Sequence, residues 1–110
     1  MSMEVPLDTL ETVATVHGDT AYAVVSDPDG PPRITHVTPV FAGTTISFGL
    51  GRRSIALLEQ HGELGVLWPA PERDAMSLIV DARVEVLGDD GTVQVTATWA
   101  VRHRPAPPLD

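Results

Sequence analysis

Apolar residues recur along the chain at two spacings, one typical of helices and one typical of strands. Helical spacing comes first, at Leu7, Leu10, Val13 and Ala14. Asp8 or Thr9 stands where a helix N-cap belongs, and Gly18 stands where a left-handed C-cap residue belongs. The spacing therefore predicts a short amphipathic helix near the start of the chain.

A second short helix is predicted in the middle of the sequence. Ser54 is a suitable N-cap, and Ile55, Leu57 and Leu58 follow it at helical spacing. Gly62 then provides the expected stop signal.

Six segments have the β-branched and alternating residues of strands: 20–26, 33–41, 44–50, 64–68, 76–87 and 92–101. Turn formers separate them, and we interpret Asp27, Asp29, Asp89 and Asp90 as residues that cap turns. The proline-rich tail, 102–110, is expected to be frayed or laid over a neighbouring subunit. The pattern predicts a mainly β (α+β) fold, a six-stranded antiparallel split or closed barrel, with a helix inserted between strands three and four.

Length and charge limit the classes of protein to which the chain can belong. Its 110 residues fit one domain, 1–110, whose small core favours a partner subunit. The net charge of −8 repels nucleic acid, and no run approaches the roughly 20 apolar residues of a membrane span. The first residues have no signal-peptide pattern, so we expect the cytoplasm.

The residue types present exclude several kinds of chemistry. Cysteine is absent, which removes disulfides, thiolate catalysis and cysteine-ligated metals. His17, His36, His61 and His103 have no metal-ligand spacing, so no metal site is predicted. No hydrolase motif occurs either.

Two adjacent arginines are the strongest candidate for chemistry. Gly51, Arg52, Arg53 and Ser54 precede the second predicted helix, whose first N–H groups and positive dipole end attract anions. The alternative is that the arginines are solvated loop residues and Ser54 is an ordinary N-cap.

Other candidates lie on the strands. Period two puts Arg33, Thr35 and Val37 on one face, and His36 with Thr38 on the other. His36 either lines a ligand pocket or is a structural strand residue. Trp68 and Trp99 lie near strand ends, where large aromatics plug a barrel mouth or form an interface, and we favour the interface.

Several phrases, in this order, resemble the flavin-binding split barrel of the pyridoxamine 5'-phosphate oxidase family. They are PRITHVTPV at 32–40, ISF at 46–48 followed by GRRS at 51–54, LEQHGELGV at 58–66, and SLIVDARV at 77–84. The resemblance covers nearly the whole chain.

The resemblance implies a homodimer with flavin sites at the subunit interface. The cofactor would be FMN, or alternatively a deazaflavin, with its phosphate beside the third strand and the inserted helix. Many relatives carry Thr or Ser at the end of strand three and a Lys before the helix, where this chain has Gly49-Leu50 and no lysine, so Arg52 or Arg53 would hold the phosphate. The implied cofactor-binding residues are Arg33, His36, Val37, Thr38, Gly49, Gly51, Arg52, Arg53, Ser54, Trp68 and Trp99.

A flavin-dependent oxidoreductase acting on a small molecule is the function that the resemblance implies. The cofactor performs the hydride or electron transfer, so no side chain is assigned as catalytic. The alternatives are a non-catalytic or degenerate relative that lacks tightly bound flavin, and a heme-handling split barrel.

Overall fold

Eight strands form one antiparallel sheet in the computed structural model, which describes residues 2–109. Seven strands follow the order β3-β2-β6-β7-β8-β5-β4, and β1 pairs with β8 beside this path. Their bounds are β1 Ser2–Glu4, β2 Ala21–Val25, β3 Arg33–Val37, β4 Val40–Ala42, β5 Thr45–Gly49, β6 Glu63–Trp68, β7 Ser77–Leu87 and β8 Thr92–His103. The mainly β split-barrel fold is confirmed, with two more strands than the six predicted.

One of the additional strands arises because the predicted strand 33–41 is divided. Its first part, β3, pairs with β2, whereas its second part, β4, pairs with β5 at the other end of the strand order. Pro39 lies between them and has no N–H with which to continue a ladder. The chain therefore passes from one end of the sheet to the other at Pro39.

The other additional strand is β1, which no local pattern indicated. Ser2, Met3 and Glu4 pair with His103, Arg102 and Val101 of β8. This pairing also extends β8 to His103, beyond the predicted end at 101. Within the described part of the tail, residues 104–109 lack regular structure, and all of them are exposed.

Two helices lie where the sequence predicted them, with different starts. A 3-10 turn at Leu7–Thr9 precedes α1, which spans Leu10–His17, and neither Asp8 nor Thr9 caps it with a side chain. The Thr9 hydroxyl instead donates to the Pro6 carbonyl. At the other end, Gly18 has a positive φ of 125° and donates its N–H to the carbonyls of Ala14 and Thr15.

The second helix, α2, spans Arg52–Gln60 and begins two residues before the predicted Ser54 cap. Gly51 is its N-cap, and the Gly51 carbonyl accepts the N–H of Ile55 at 3.1 Å. Ser54 is therefore the third residue of the helix, and the cap prediction is wrong. Arg52 and Arg53 belong to the first turn of the helix rather than to the loop before it.

The turn between β7 and β8 positions the loop before α2. The N–H of Gly88 donates to the Thr92 carbonyl at 2.7 Å, and the Asp90 carboxylate accepts the Thr92 N–H at 3.0 Å. That second bond holds the pKa of Asp90 below its usual value. Gly91 has a φ of 88°, and a side chain there would meet the Leu50 carbonyl. Its own carbonyl accepts the N–H of Leu50, so the hairpin tip is bonded to the segment that leads into α2.

The core fills the inner face of the curled sheet. Alternate residues of each long strand point inward, so Leu78, Val80 and Ala82 of β7 are buried while Asp81 and Arg83 are exposed. Leu10 and Ala14 of α1 and Leu57 and Leu58 of α2 complete this cluster. Within residues 2–109, no helix is long and apolar enough to cross a membrane.

Truncation of a central core residue tests this packing. Leu78 is fully buried on the middle strand β7, and we expect Leu78→Ala to lower the free energy of unfolding by about 2–5 kcal/mol, because it leaves a cavity. Urea denaturation measures this loss. Leu109→Ala is the control, because Leu109 is fully exposed and its truncation should change stability by less than about 0.5 kcal/mol. Equal effects of the two substitutions would contradict the assigned core.

Candidate functional site

The predicted arginine candidates line one surface groove of about 540 Å³. One wall is the beginning of β3 and the residue before it, and the other wall is the beginning of α2. The lining residues are Pro32, Arg33, Ile34, Thr35, Gly51, Arg52, Arg53 and Ser54. We call this the arginine groove, and it brings together five sequence-predicted positions: Arg33 on β3, the N-cap Gly51, and Arg52, Arg53 and Ser54 on α2.

The helix end that forms one wall favours negative charge. The first N–H groups of a helix have no partner within the helix, and its dipole leaves about half a positive charge at that end. Arg52 and Arg53 occupy the first turn of α2, which contains no acidic residue. The N-terminal end of the helix backbone and the two guanidinium groups are therefore all positive.

A largely buried serine also borders the groove. Ser54 is only 5% exposed, and it is the one buried polar or charged residue within residues 2–109. No side-chain hydrogen bond joins it to any other residue of that range. Among residues 2–109, the one fully buried side-chain N or O atom without a hydrogen-bond partner is Arg102 Nε, so Ser54 Oγ is not fully enclosed and water or a ligand can reach it. Ser54 can therefore pair with a ligand in the arginine groove.

Arg53 forms an ion pair with Asp27, an acidic residue of the turn between β2 and β3. Its Nη2 donates to Oδ2 of Asp27 at 3.0 Å, while Oδ1 of Asp27 accepts the N–H of Asp29 at 2.9 Å. The Asp29 bond, the Arg53 bond and attraction to Arg33 hold the pKa of Asp27 below its usual value of 3.8. Asp27 is therefore charged at neutral pH. Neither Arg33 nor Arg52 forms an ion pair within the described part of the chain.

Arg52 also borders a second groove, of about 470 Å³, on its other side. Ile55 and Ala56 supply apolar surface there, and Glu59, Asp89 and Asp90 supply negative charge. An anion at this end of α2 is therefore favoured on the β3 side, where the lining carries positive charge alone.

The six other predicted site residues lie outside the arginine groove, and four of them are His36, Val37, Thr38 and Gly49. Val37 is buried in the core, and Thr38 lines a separate cavity of about 280 Å³. Gly49 ends β5 and is exposed. His36 points to the outer face of the sheet, where its ring stacks on Tyr22 with centroids 4.7 Å apart.

The two tryptophans occupy opposite environments. Trp68 is buried and packs against Phe41 at a ring distance of 5.9 Å, so the interface interpretation does not apply to it. Trp99 is 47% exposed and is paired with Asp81 across β7 and β8. Only Trp99 is on the surface of the chain where a partner can contact it.

Two rows of residues on the outer face of the sheet are largely apolar, with Asp81 as their one charged member. Tyr22, Leu67, Ile79 and Val101 are cross-strand neighbours in one row over β2, β6, β7 and β8. A neighbouring row contains Ile34, Val24, Gly65, Asp81 and Trp99. We call these two rows the outer patch. A solvated face of an antiparallel sheet is normally polar, so the outer patch is suited to cover by another surface.

Sequence reasoning missed Asp27 and Tyr22. Asp27 was interpreted as a turn residue, which its bond to Asp29 confirms, but its ion pair with Arg53 joins positions 26 residues apart. No local pattern reveals such a pair. For Tyr22 a signal existed, because period two in β2 puts it on the face opposite the buried Ala21 and Ala23.

The histidines are not grouped into a metal site, and two of them form structural hydrogen bonds. His17 and His103 hydrogen-bond through Nδ1 with the Pro69 carbonyl and the Ser2 hydroxyl. Within residues 2–109, no three His, Cys, Asp or Glu residues are grouped closely enough to hold a metal ion. The chemistry that the arrangement supports is therefore the binding of an anionic group by arginines, helix N–H groups and one hydroxyl.

Comparison with known proteins gives the fold a context. No protein-family model and no curated protein matches the sequence. Among solved structures, the chain is similar to an FAD-binding protein from Mesorhizobium loti, with a TM-score of 0.66 and 12% identity over 96% of this chain and 98% of that one. A protein from Listeria innocua assigned as a pyridoxamine 5'-phosphate oxidase is also similar. Its TM-score is 0.65 and its identity 10%, over 88% of this chain and 98% of that one.

A third similar structure is an F420 reductase, with a TM-score of 0.55 and 15% identity over 79% of this chain and 86% of that one. Sequence identities this low establish a shared fold, and they do not establish a shared ligand or activity. The chain therefore has the split-barrel fold of the pyridoxamine 5'-phosphate oxidase-like proteins, as its sequence phrases predicted.

Proposed function

We propose that the protein binds a flavin, with the flavin phosphate in the arginine groove. The observation that carries the proposal is the convergence of Arg33, Arg52 and Arg53 on the beginning of α2, beside Ser54, which also lines the groove. The similar solved structures include an FAD-binding protein and an F420 reductase, which supports a ligand of the flavin type.

The residues present fit the phosphate of FMN. A phosphate monoester carries nearly two negative charges at neutral pH and several strong acceptor oxygens. Arg33 and Arg52 lack carboxylate partners within residues 2–109, and Ser54 lacks a hydrogen-bond partner there. Guanidinium groups bind phosphate oxygens in pairs, so they replace the lysine that the family resemblance led us to expect. A deazaflavin presents similar acidic groups and is the alternative ligand.

A bound flavin would supply hydride or electron transfer. The protein would then be an oxidoreductase acting on a small molecule, and we propose that it works in the cytoplasm. The residues of this chain bind and orient the ligand. Arg52, Arg53 and Ser54 would hold its phosphate, and the backbone of β3 leads from the groove toward His36. The outer patch beside His36 would exclude water from an apolar ring.

We propose further that two chains pair through the outer patch. Exposed Trp99 and Ile34 belong to it, and aromatic residues at such positions commonly carry most of the binding energy of an interface. The arginine groove includes Ile34, so pairing brings the second chain to the border of the flavin site. A homodimer therefore encloses a ligand that one chain leaves open to solvent.

The alternative function is a non-catalytic or degenerate binding protein without tightly bound flavin. The ion pair between Asp27 and Arg53 favours this alternative, because it already neutralises part of the positive charge that would bind a phosphate. The absorption spectrum of the purified protein separates flavin, deazaflavin, heme and an empty protein.

Removal of the two helix arginines tests the flavin site. We expect Arg52→Ala combined with Arg53→Ala to weaken FMN binding at least about tenfold, because about 1.4 kcal/mol of charge-assisted hydrogen bonding is lost. Titration of FMN fluorescence measures the affinity. Binding to the unmodified protein should also weaken with salt, since exposed charges are screened over about 8 Å at physiological ionic strength.

Arg73→Ala combined with Arg104→Ala is the matched control, because it removes the same charge from residues outside the arginine groove. This control should leave the affinity nearly unchanged. If the unmodified protein takes up no flavin, the degenerate-relative function replaces the proposal.

A charge placed in the outer patch tests the homodimer. We expect a dimer that buries more than about 1,000 Å², and Trp99→Glu should raise its dissociation constant at least about thirtyfold, since truncated hot-spot residues cost about 2 kcal/mol or more. Sedimentation at micromolar concentration measures the association. Val16→Glu is the control, because Val16 is an exposed apolar residue of α1 outside the patch. A monomeric unmodified protein would contradict the proposal.

A further inference from the structure

Asp27 is placed behind the arginine groove rather than in it. Its side chain is only 6% exposed, although Asp27 belongs to a surface turn between β2 and β3. Each carboxylate oxygen has a separate partner, the backbone N–H of Asp29 for Oδ1 and the Arg53 guanidinium for Oδ2. One residue thereby fixes the turn and contacts the first turn of α2.

Arg53 keeps most of its binding capacity in this pair. A guanidinium group has five N–H donors, and the contact with Asp27 is through one nitrogen, Nη2. The Arg53 side chain is 57% exposed and lines the groove that Asp27 does not line. The guanidinium group is therefore anchored on one side and open on the other.

The charge balance leaves the groove attractive to anions. Three arginines line it, and one carboxylate lies behind it, so positive charge remains in excess. An unanchored arginine samples many rotamers and loses that freedom when it binds a ligand. Anchoring before the ligand arrives reduces this loss.

We infer that Asp27 is a positioning residue that holds the Arg53 guanidinium at the arginine groove in the orientation that receives an anionic ligand. The inference rests on the proposed flavin site and deepens it. Asp27 acts through Arg53 and does not touch the ligand, so its effect must disappear when Arg53 is removed.

Asp27→Asn separates this role from the role of Asp27 in the turn. An asparagine oxygen still accepts the N–H of Asp29, so the turn is retained, but the carboxylate that anchors Arg53 is lost. We expect Asp27→Asn to weaken FMN binding about fivefold, the factor that corresponds to one ordered long side chain. In a background of Arg53→Ala, the same substitution should change the affinity by less than about twofold.

Asp29→Asn is the matched control, because it removes one negative charge from the same turn and leaves the Asp27–Arg53 pair intact. A purely electrostatic role for Asp27 makes the opposite prediction, since loss of either carboxylate would then tighten FMN binding. Tighter or unchanged binding by Asp27→Asn would overturn the inference, as would an equal weakening with and without Arg53.

A measurement without flavin separates this inference from the proposed function. The Nε–H signal of Arg53 in a proton–nitrogen NMR spectrum should report an ordered side chain in the unmodified protein and a mobile one in Asp27→Asn. If FMN does not bind but this change occurs, the proposed function fails and the positioning of Arg53 stands. If the Arg53 signal is the same in both proteins, Asp27 does not position Arg53, whatever the flavin result.

Discussion

Curling of the sheet, which brings its unpaired end strands β3 and β4 toward each other, is the constraint on which the other features depend. In a flat sheet, the five strand spacings from β3 to β5 would put these strands about 24 Å apart, at about 4.8 Å per spacing. The chain prevents this separation, because β3 and β4 are joined by two residues, Thr38 and Pro39. Since α2 follows β5 directly, the same curling brings the start of α2 beside the start of β3.

The curled sheet also has two chemically different surfaces, the positively charged arginine groove and the outer patch. The overall charge is −8, yet three of the seven basic residues gather at one groove. Gathering cations on an acidic protein creates a local positive field where the remaining surface repels anions. The outer patch, by contrast, is largely apolar, and its Ile34 also lines the arginine groove. A ligand with an anionic end and a flat apolar ring matches both surfaces at their shared border.

The sequence predicted the structural elements that are determined by residues close together in the chain. The Gly88–Gly91 turn, the long hairpin around it and α2 follow from turn formers and helical spacing within short windows. The phrases at 46–54 also placed Arg52 and Arg53 beside the third predicted strand. Closeness of Arg33 to them was expected only through the family resemblance, because it depends on curling of the whole sheet.

Features that escaped prediction depend on partners far apart in sequence. β1 exists because Ser2 meets His103, 101 positions away, and three residues have no periodicity to detect. The N-cap error at Ser54 arose because Gly51 adopts an extended conformation that also serves as a cap, although serine is the commoner choice. The burial of Trp68 and the exposure of Trp99 could not be distinguished from their similar positions near strand ends.

That contrast between the tryptophans gives the protein two built-in optical probes. Trp68 is enclosed by apolar side chains beside Phe41, so its emission lies toward the blue and shifts to the red only when the core opens. Trp99 faces outward, and its emission lies further to the red until something covers it. Because the chain has only these two tryptophans, replacing either one with phenylalanine leaves a single-tryptophan reporter, Trp68 for the unfolding of the barrel or Trp99 for events on its outer surface.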